Sequence, residues 1–397
     1  MFYGENLEYM RQLNGLSRSD LAQQIGVSEQ AIWQYEAKNV MPEINKIHQL
    51  CQLFKVKSYF FLKQRDAILN QASVDIHRIA FRAKNQKSSN KLLNRQHKQS
   101  EFISNFTNYL FSHVSQPKLK IYEIINEIDK VWKGQPLNKE LINRIAEQTR
   151  RLILGSGTNQ NLLLEIEKMG IVVYEQQLDM STDAFSFWSN DETPYIILGD
   201  NKGIAVRRNF DIAHELGHLL LHRQVEFDLL TRDEYKDVEK EADWFAAHFL
   251  LPEKRFMEDF NQISKKSNPE YFVVLKEKWH VSIQAMAMRA YALKGLTDSQ
   301  YRYFWSLINK KGFKKSEPLD NTIELPKPVK INSLMDLLFR KQVLTPEQIL
   351  DDYKVEPEFF HHVLRIHPKL FYKFMEEHKE KQQNEIVESL IHIHSYH

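Results

Sequence analysis

The segment His214-Glu215-Leu216-Gly217-His218 constrains this chain more than any other stretch of its length. On a helix, residues four apart differ by about 40° in direction, so the two imidazoles share a face and can meet at one metal ion. Glu215 stands beside the first of them, placed to take a proton from a water that the metal activates. The flanking Phe210, Ile212, Ala213, Leu216, Leu219 and Leu220 are apolar, so the helix reads as buried rather than as a solvated charged face. Gly217 costs about 1 kcal/mol against alanine inside a helix, which predicts close approach of another element.

Tetrahedral catalytic zinc takes three protein ligands and keeps one position open. The single cysteine, Cys51, excludes a multi-cysteine zinc site and an internal disulfide framework. His222 lies about 12 Å along the axis from His214 at 1.5 Å per residue, so the three histidines cannot all reach one ion. It reads as structural or as a support for a ligand. Leu221 and Gln224 stand where a longer HExxHxxGxxH pattern has Gly and His. The other acidic segment is 238–252, where Glu239, Glu241 and Asp243 flank an apolar stripe of Ala242, Phe245, Ala246 and Phe249. Glu241 shares a side with Phe245 and His248, whereas Glu239 and Asp243 pair on another. Periodicity does not choose among the three, and a solvated acidic face accounts for them equally well.

At 397 residues the chain is long enough for two or three domains. It is 42% hydrophobic and 27% charged, which excludes disorder throughout. No apolar run approaches the roughly 18 residues of a membrane span. The N-terminus carries early acidic residues and no apolar core, so no signal peptide is expected and the chain reads as cytoplasmic. Net charge is only +2, yet Lys55 to Lys98 holds eleven basic side chains against two acidic ones. Counterion release makes such a block attractive to phosphate backbones, although a solvated linker explains it too.

Residues 1–64 read as short helices, with Leu7, Met10 and Leu13 recurring at helical spacing, then Leu21, Ala22 and Ile25, and so on to Leu50 and Leu53. Gly15, Gly26 and Pro42 punctuate them, and Ser28 suits a helix N-cap. Residues 65–116 read as a basic linker region with one or two helices. Helices are predicted at 120–133, 138–154 and near 160–169, the last ending at Gly170. Strands are predicted at 171–174, 184–188 and 194–198, a helix from near Arg208, and further helices at 237–250, 269–278 and 282–294. The proline-bearing stretch 312–330 marks a boundary before a helical 331–397. There are no internal repeats, no glycine-rich phosphate loop and no GxSxG elbow.

HELGHLLLH (214–222) with EKEADWFAAHFLLP (239–252) resembles the ImmA/IrrE family of zinc metallopeptidases. GIVVY (170–174), PYIIL (194–198), Arg207-Arg-Asn-Phe-Asp-Ile-Ala and WHVSIQAMAMRAYALKGL (279–296) extend the likeness. IAFRAK (79–84) is similar to the element that joins the halves of members with an N-terminal DNA-binding domain. The likeness covers about 70–300, with EP…ELP (317–326) as a weak extension. Asn209 departs from it, standing where a basic residue often precedes the Phe. The first 62 residues resemble an XRE/Cro-type helix-turn-helix, on GlyLeuSerArgSerAspLeuAla (15–22) and GlyValSerGluGlnAlaIleTrpGlnTyrGlu (26–36), with Ala22, Ile25, Val27, Ile32 and Leu50 as core. Ala37 departs from the usual Gly at the exit of the recognition helix, and Asn39 is expected to take the left-handed position instead.

These resemblances imply a mainly α, multidomain chain: a five-helix helix-turn-helix at 1–64, the basic linker region at 65–116, an α+β zincin-like peptidase with a small sheet at 117–300, and a helical region of unassigned role at 301–397. They imply Zn²⁺ held by His214, His218 and Glu241, with Glu215 as general base and Asp243 at most a supporting group. On the DNA side, Gln30, Trp33 and Gln34 are expected on the reading face of the recognition helix, beside Ser28. Arg18 and Lys38 suit phosphates. Glu29 and Glu36 weaken that basic face. The implied activity is cleavage of a protein substrate, a transcriptional repressor, by a chain that also binds double-stranded DNA, as a homodimer on two half-sites. The alternative is a regulator or antitoxin-like protein without catalysis, using the peptidase fold as a sensor. An intact Glu215 argues against it. The terminal histidines, His361, His362 and those within 391–397, read as a frayed tail rather than a metal site.

Overall fold

A computed structural model describes residues 1–64, 74, 80–81, 90–115, 118–178, 182–201 and 203–394. The first four helices are α1 (Gly4–Leu13), α2 (Arg18–Ile25), α3 (Glu29–Lys38) and α4 (Ile44–Phe54). The fifth expected helix is a short 3-10 turn at Ser58–Phe61. Gly26, at φ 66°, ends α2. Asn39 does take the left-handed position at the end of α3, and its side chain accepts from the Gly4 amide at 2.8 Å. Ala22, Ile25, Ile32 and Leu50 are buried as expected, whereas Val27 is only half-buried.

Further along lie α5 (Asn90–Phe111), α6 (Ile121–Trp132), α7 (Lys139–Ile153) and α8 (Leu162–Lys168). A four-stranded sheet runs β1 (Ala80–Phe81), β3 (Ala184–Trp188), β4 (Pro194–Gly199), β2 (Val172–Gln176) in spatial order. β2 pairs parallel with β4, placing Val172 opposite Tyr195, and β3 runs antiparallel to β4, placing Ala184 opposite Leu198. Of IAFRAK only Ala80 and Phe81 are described, as β1 against β3; the rest of that motif lies outside the described residues. Then come α9 (Ala205–Leu221), α10 (Arg232–Leu250), α11 (Glu253–Phe260), α12 (Val273–Trp279), α13 (Ile283–Ala292), α14 (Asp298–Lys310), α15 (Lys330–Arg340), α16 (Pro346–Asp352), α17 (Pro357–Leu364) and α18 (Lys369–His394).

The chain divides into two compact units, one of residues 1–74, 85–116 and 331–397, the other of 75–84 and 117–330. In the first, the C-terminal helices share a core with the helix-turn-helix residues. Val56 bridges Val355, the Lys57 amide donates to the Lys354 carbonyl at 2.9 Å, and the Glu356 amide donates to Lys55 at 2.9 Å. Residues 90–111 are more than linker, because Phe102, Ile103, Phe106 and Leu110 of α5 are fully buried. Phe102 and Phe106 pack edge-on against Tyr353.

In the second unit, α9 lies against β3 and β4 and α10 packs across α9, with Ile212, Leu216, Phe245 and Phe249 in one apolar core. Gly217 marks the crossing: a β-carbon there would stand 3.3 Å from the Ala242 α-carbon and 3.1 Å from the Phe245 ring. The expected close approach at Gly217 is therefore that of α10. Arg208 fixes the start of α9, pairing with Glu175 and donating to the Gly199 carbonyl at 2.9 Å and the Pro326 carbonyl at 3.0 Å. Asn209, the departure from the family pattern, is buried and donates to the carbonyls of Asn159 at 3.2 Å and His280 at 3.1 Å.

Candidate functional site

The helical period of α9 puts His214 and His218 on the face turned to α10, and both are buried. A capping box of Thr231 and Glu234 starts α10. Glu239 and Asp243, one turn apart on α10, then meet the two histidines. Among the described residues, His214, His218 and Glu239 form the group whose ligand atoms all lie within 4.8 Å of one another. The two Nε2 atoms face each other at 3.0 Å. Glu239 places one carboxylate oxygen 3.4 Å from His218 Nε2 and the other 3.6 Å from His214 Nε2. Glu241 goes elsewhere: its Oε2 lies 3.0 Å from His222 Nε2. The carboxylate implied by resemblance and the carboxylate facing both imidazoles are therefore different residues.

Partners assign the ring protons. A carboxylate only accepts, so His214 donates from Nδ1 to Asp243 at 2.8 Å and turns Nε2 toward His218. His222 likewise donates from Nε2 to Glu241. Burial, outweighing Glu241, pushes its pKa down to about 4, so it is neutral and offers a lone pair at Nδ1. His218 donates from Nδ1 into that lone pair at 3.0 Å, which turns His218 Nε2 toward His214 Nε2. Two ring nitrogens thus face each other beside a carboxylate, an arrangement suited to a cation. Zn–N bonds of about 2.0–2.1 Å at a tetrahedral angle separate two nitrogens by roughly 3.3 Å, so the donor set fits zinc in kind and in spacing. Two imidazoles and one carboxylate also leave a fourth position open.

Glu215 is buried against β3, where the Ser186 hydroxyl donates to its carboxylate at 2.7 Å. Sequence reasoning missed Ser186; its signal was a lone hydroxyl within the apolar run of β3. Asp243, held to a supporting role by the resemblance, orients His214, and His222 does the same for His218.

Beside this centre, the start of α7, the start of α9, α10 and α13 enclose a groove of about 970 Å³. On its wall His248 stacks on Trp244 with ring centroids 5.3 Å apart. Arg289 donates from Nη1 to His248 Nε2 at 2.8 Å and from Nε to the Leu251 carbonyl at 3.1 Å, while its buried Nη2 has no partner. Burial pushes the Arg289 guanidinium down to about 10, and burial with the Arg289 charge pushes His248 down to about 4. Neutral His248 is thus built into the fold. That preference is complete above the unfolded value of 6.5 and is lost as pH falls toward about 4. It amounts to at most about 3 kcal/mol. Urea titrations across that range should show wild type losing about 2–3 kcal/mol more than His248→Gln; equal losses would contradict the assignment.

The helix-turn-helix residues divide. Gln30 and Gln34 are exposed on α3, and Lys38 holds its ammonium 5.6 Å from the half-buried Trp33 ring. The Ser28 hydroxyl accepts from the Ala31 amide at 3.2 Å, serving as the N-cap. Arg18 is committed inward, with Nε 2.6 Å from Glu36. Glu36 also accepts from Arg11 Nε at 2.5 Å and is buried, so its charge is neutralised internally and does not weaken the outer face.

An HExxH helix crossed by a carboxylate-bearing helix, with a small mixed sheet, occurs in one unit and a helix-turn-helix in the other. Residues 166–291 match the peptidase family model described as IrrE N-terminal-like domain, and residues 7–61 match helix-turn-helix. No curated protein matches the chain. The chain therefore joins a helix-turn-helix domain to a peptidase domain of the IrrE type. No described helix is long and apolar enough to cross a membrane.

Proposed function

We propose that this chain is a zinc-dependent endopeptidase coupled to a DNA-binding domain, and that it acts in the cytoplasm on a transcriptional repressor. The observation that carries the reading is the facing pair of Nε2 atoms on His214 and His218, with Glu239 across from them. We assign the three metal-holding roles to these residues, with Glu241 as a support acting through His222. Zinc bound there supplies Lewis acidity, which makes water a nucleophile at neutral pH and polarises a peptide carbonyl. Glu215, steadied by Ser186, takes the proton of the attacking water and passes it to the leaving amine. Asp243 and the His222–Glu241 pair keep both imidazoles in the tautomer that presents Nε2. Incubating the full chain, zinc loaded, with the repressor encoded nearest to it should give two fragments whose masses sum to substrate plus one water. An intact repressor under these conditions favours a non-catalytic regulator.

On the DNA side, Gln30 and Gln34 are the readers, since each amide can bond an adenine edge bidentately. Lys38 faces phosphate, and the chain acts as a homodimer on two half-sites. Each such base contact carries about 1–3 kcal/mol. Gln30→Ala with Gln34→Ala should therefore weaken operator binding by about tenfold or more in a gel-shift titration; an unchanged shift removes both as readers.

A further inference from the structure

We propose that the groove beside the metal centre selects the substrate, taking a peptide segment that mixes large apolar side chains with carboxylates; this rests on the endopeptidase reading above. The groove continues from the centre along both helices. Phe210, its ring 6.3 Å from that of His214, and Asp243, bonded to His214, belong to its wall. Arg207, two turns before His214, stands on the same stripe of α9. A cleft so joined to His214 receives the chain on one side of the scissile bond.

Its chemistry is uneven. Leu137, Ile142, Phe210, Trp244, Ala285 and Met288 make it apolar, and Met288 is 55% exposed. The acids on its walls are engaged: Asp237 with Lys240 at 2.7 Å, Glu241 with His222 at 3.0 Å, and Asp243 with His214 at 2.8 Å. Of the cations on its walls, Lys240 is spent on Asp237. Among the described residues, Lys139, Arg207, Lys314 and Arg289 line the groove without an ion pair, and Arg289 keeps Nη2 unpartnered. The Lys139 ammonium sits 4.3 Å from the Trp244 ring, joining charge to the aromatic wall. With Lys240 and Asp237 paired, four cations against the two carboxylates Glu241 and Asp243 leave the apolar cleft a positive excess, complementary to an acidic, apolar peptide and unfavourable to a basic one.

The test uses the full chain carrying Glu215→Gln, zinc loaded, with a fluorescent peptide of alternating Leu and Glu, read by anisotropy. Peptides of alternating Leu and Lys, and of Ser and Glu, are the controls. The Leu–Glu peptide should bind about tenfold or more tightly than either. Adding Lys139→Glu with Lys314→Glu, both exposed, should invert the preference toward Leu–Lys. Adding Ala285→Trp, which fills the groove, should weaken both Leu peptides with metal content unchanged. Equal affinity for all three peptides, or a preference untouched by both sets of changes, overturns the proposal. Wild type then separates the two readings. A Leu–Glu peptide that binds selectively but stays uncut overturns the endopeptidase and supports the groove; cutting without preference between Leu–Glu and Leu–Lys overturns the groove and supports the endopeptidase.

Discussion

Glu215→Gln is expected to retain one zinc per chain and to lose cleavage by at least about 10³-fold, within the range that general acid–base groups contribute. The amide is nearly isosteric and can still meet the Ser186 hydroxyl, which donates to the Glu215 carboxylate at 2.7 Å. The fold and the imidazoles are therefore undisturbed. What goes is the basic lone pair that accepts the proton of water and the acid that returns it to the amine. Metal content by mass spectrometry and initial rates on one preparation read both halves. Loss of zinc in this variant would make Glu215 a ligand, and an unchanged rate would remove it from the chemistry.

Glu239→Ala and Glu241→Ala should differ widely. Glu239 lies within 3.4 and 3.6 Å of the two Nε2 atoms, so on the proposed assignment its loss removes a metal donor. Glu241 reaches His218 only through His222, and loss of such a support costs roughly 10–100-fold in metal affinity. Zinc affinity measured against a chelator should fall further in Glu239→Ala than in Glu241→Ala, and the second variant should recover activity at raised zinc. The opposite order would return the ligand role to Glu241.

Why one carboxylate and not the other was illegible follows from geometry. The i, i+4 rule places His214 and His218 on one face from sequence alone, and Gly217 announces a close neighbour. The rule does not say where on α10 the crossing falls. Contact at Ala242 and Phe245 leaves Glu239 and Asp243 along one flank and Glu241 beside His222, a tertiary fact without a local signature. Ser186 reaches Glu215 from a strand 29 positions away. The same limit holds in the other unit. The sheet strands and most helices were read close to their observed bounds because each carries its own period. The stripe Phe102, Ile103, Phe106 and Leu110 was concealed by the basic residues before it, so α5 reads as a helix within a linker region rather than as core. Nothing local marks the bridge from Val56 to Val355 that puts the last helices with the first. Arg18 looked free for phosphate because its partner, Glu36, is 18 residues on.

The most direct test of the zinc-dependent endopeptidase is a metal titration of the full chain. The chain is stripped with chelator and returned to buffer with the repressor encoded nearest to it, and intact masses are recorded as zinc is added. The account predicts no fragments without metal, then two fragments forming at a rate that rises in proportion to zinc and levels off at one equivalent per chain. Fragments of the same mass at the same rate from the metal-free chain, or an uncut repressor at one bound zinc per chain, would contradict it.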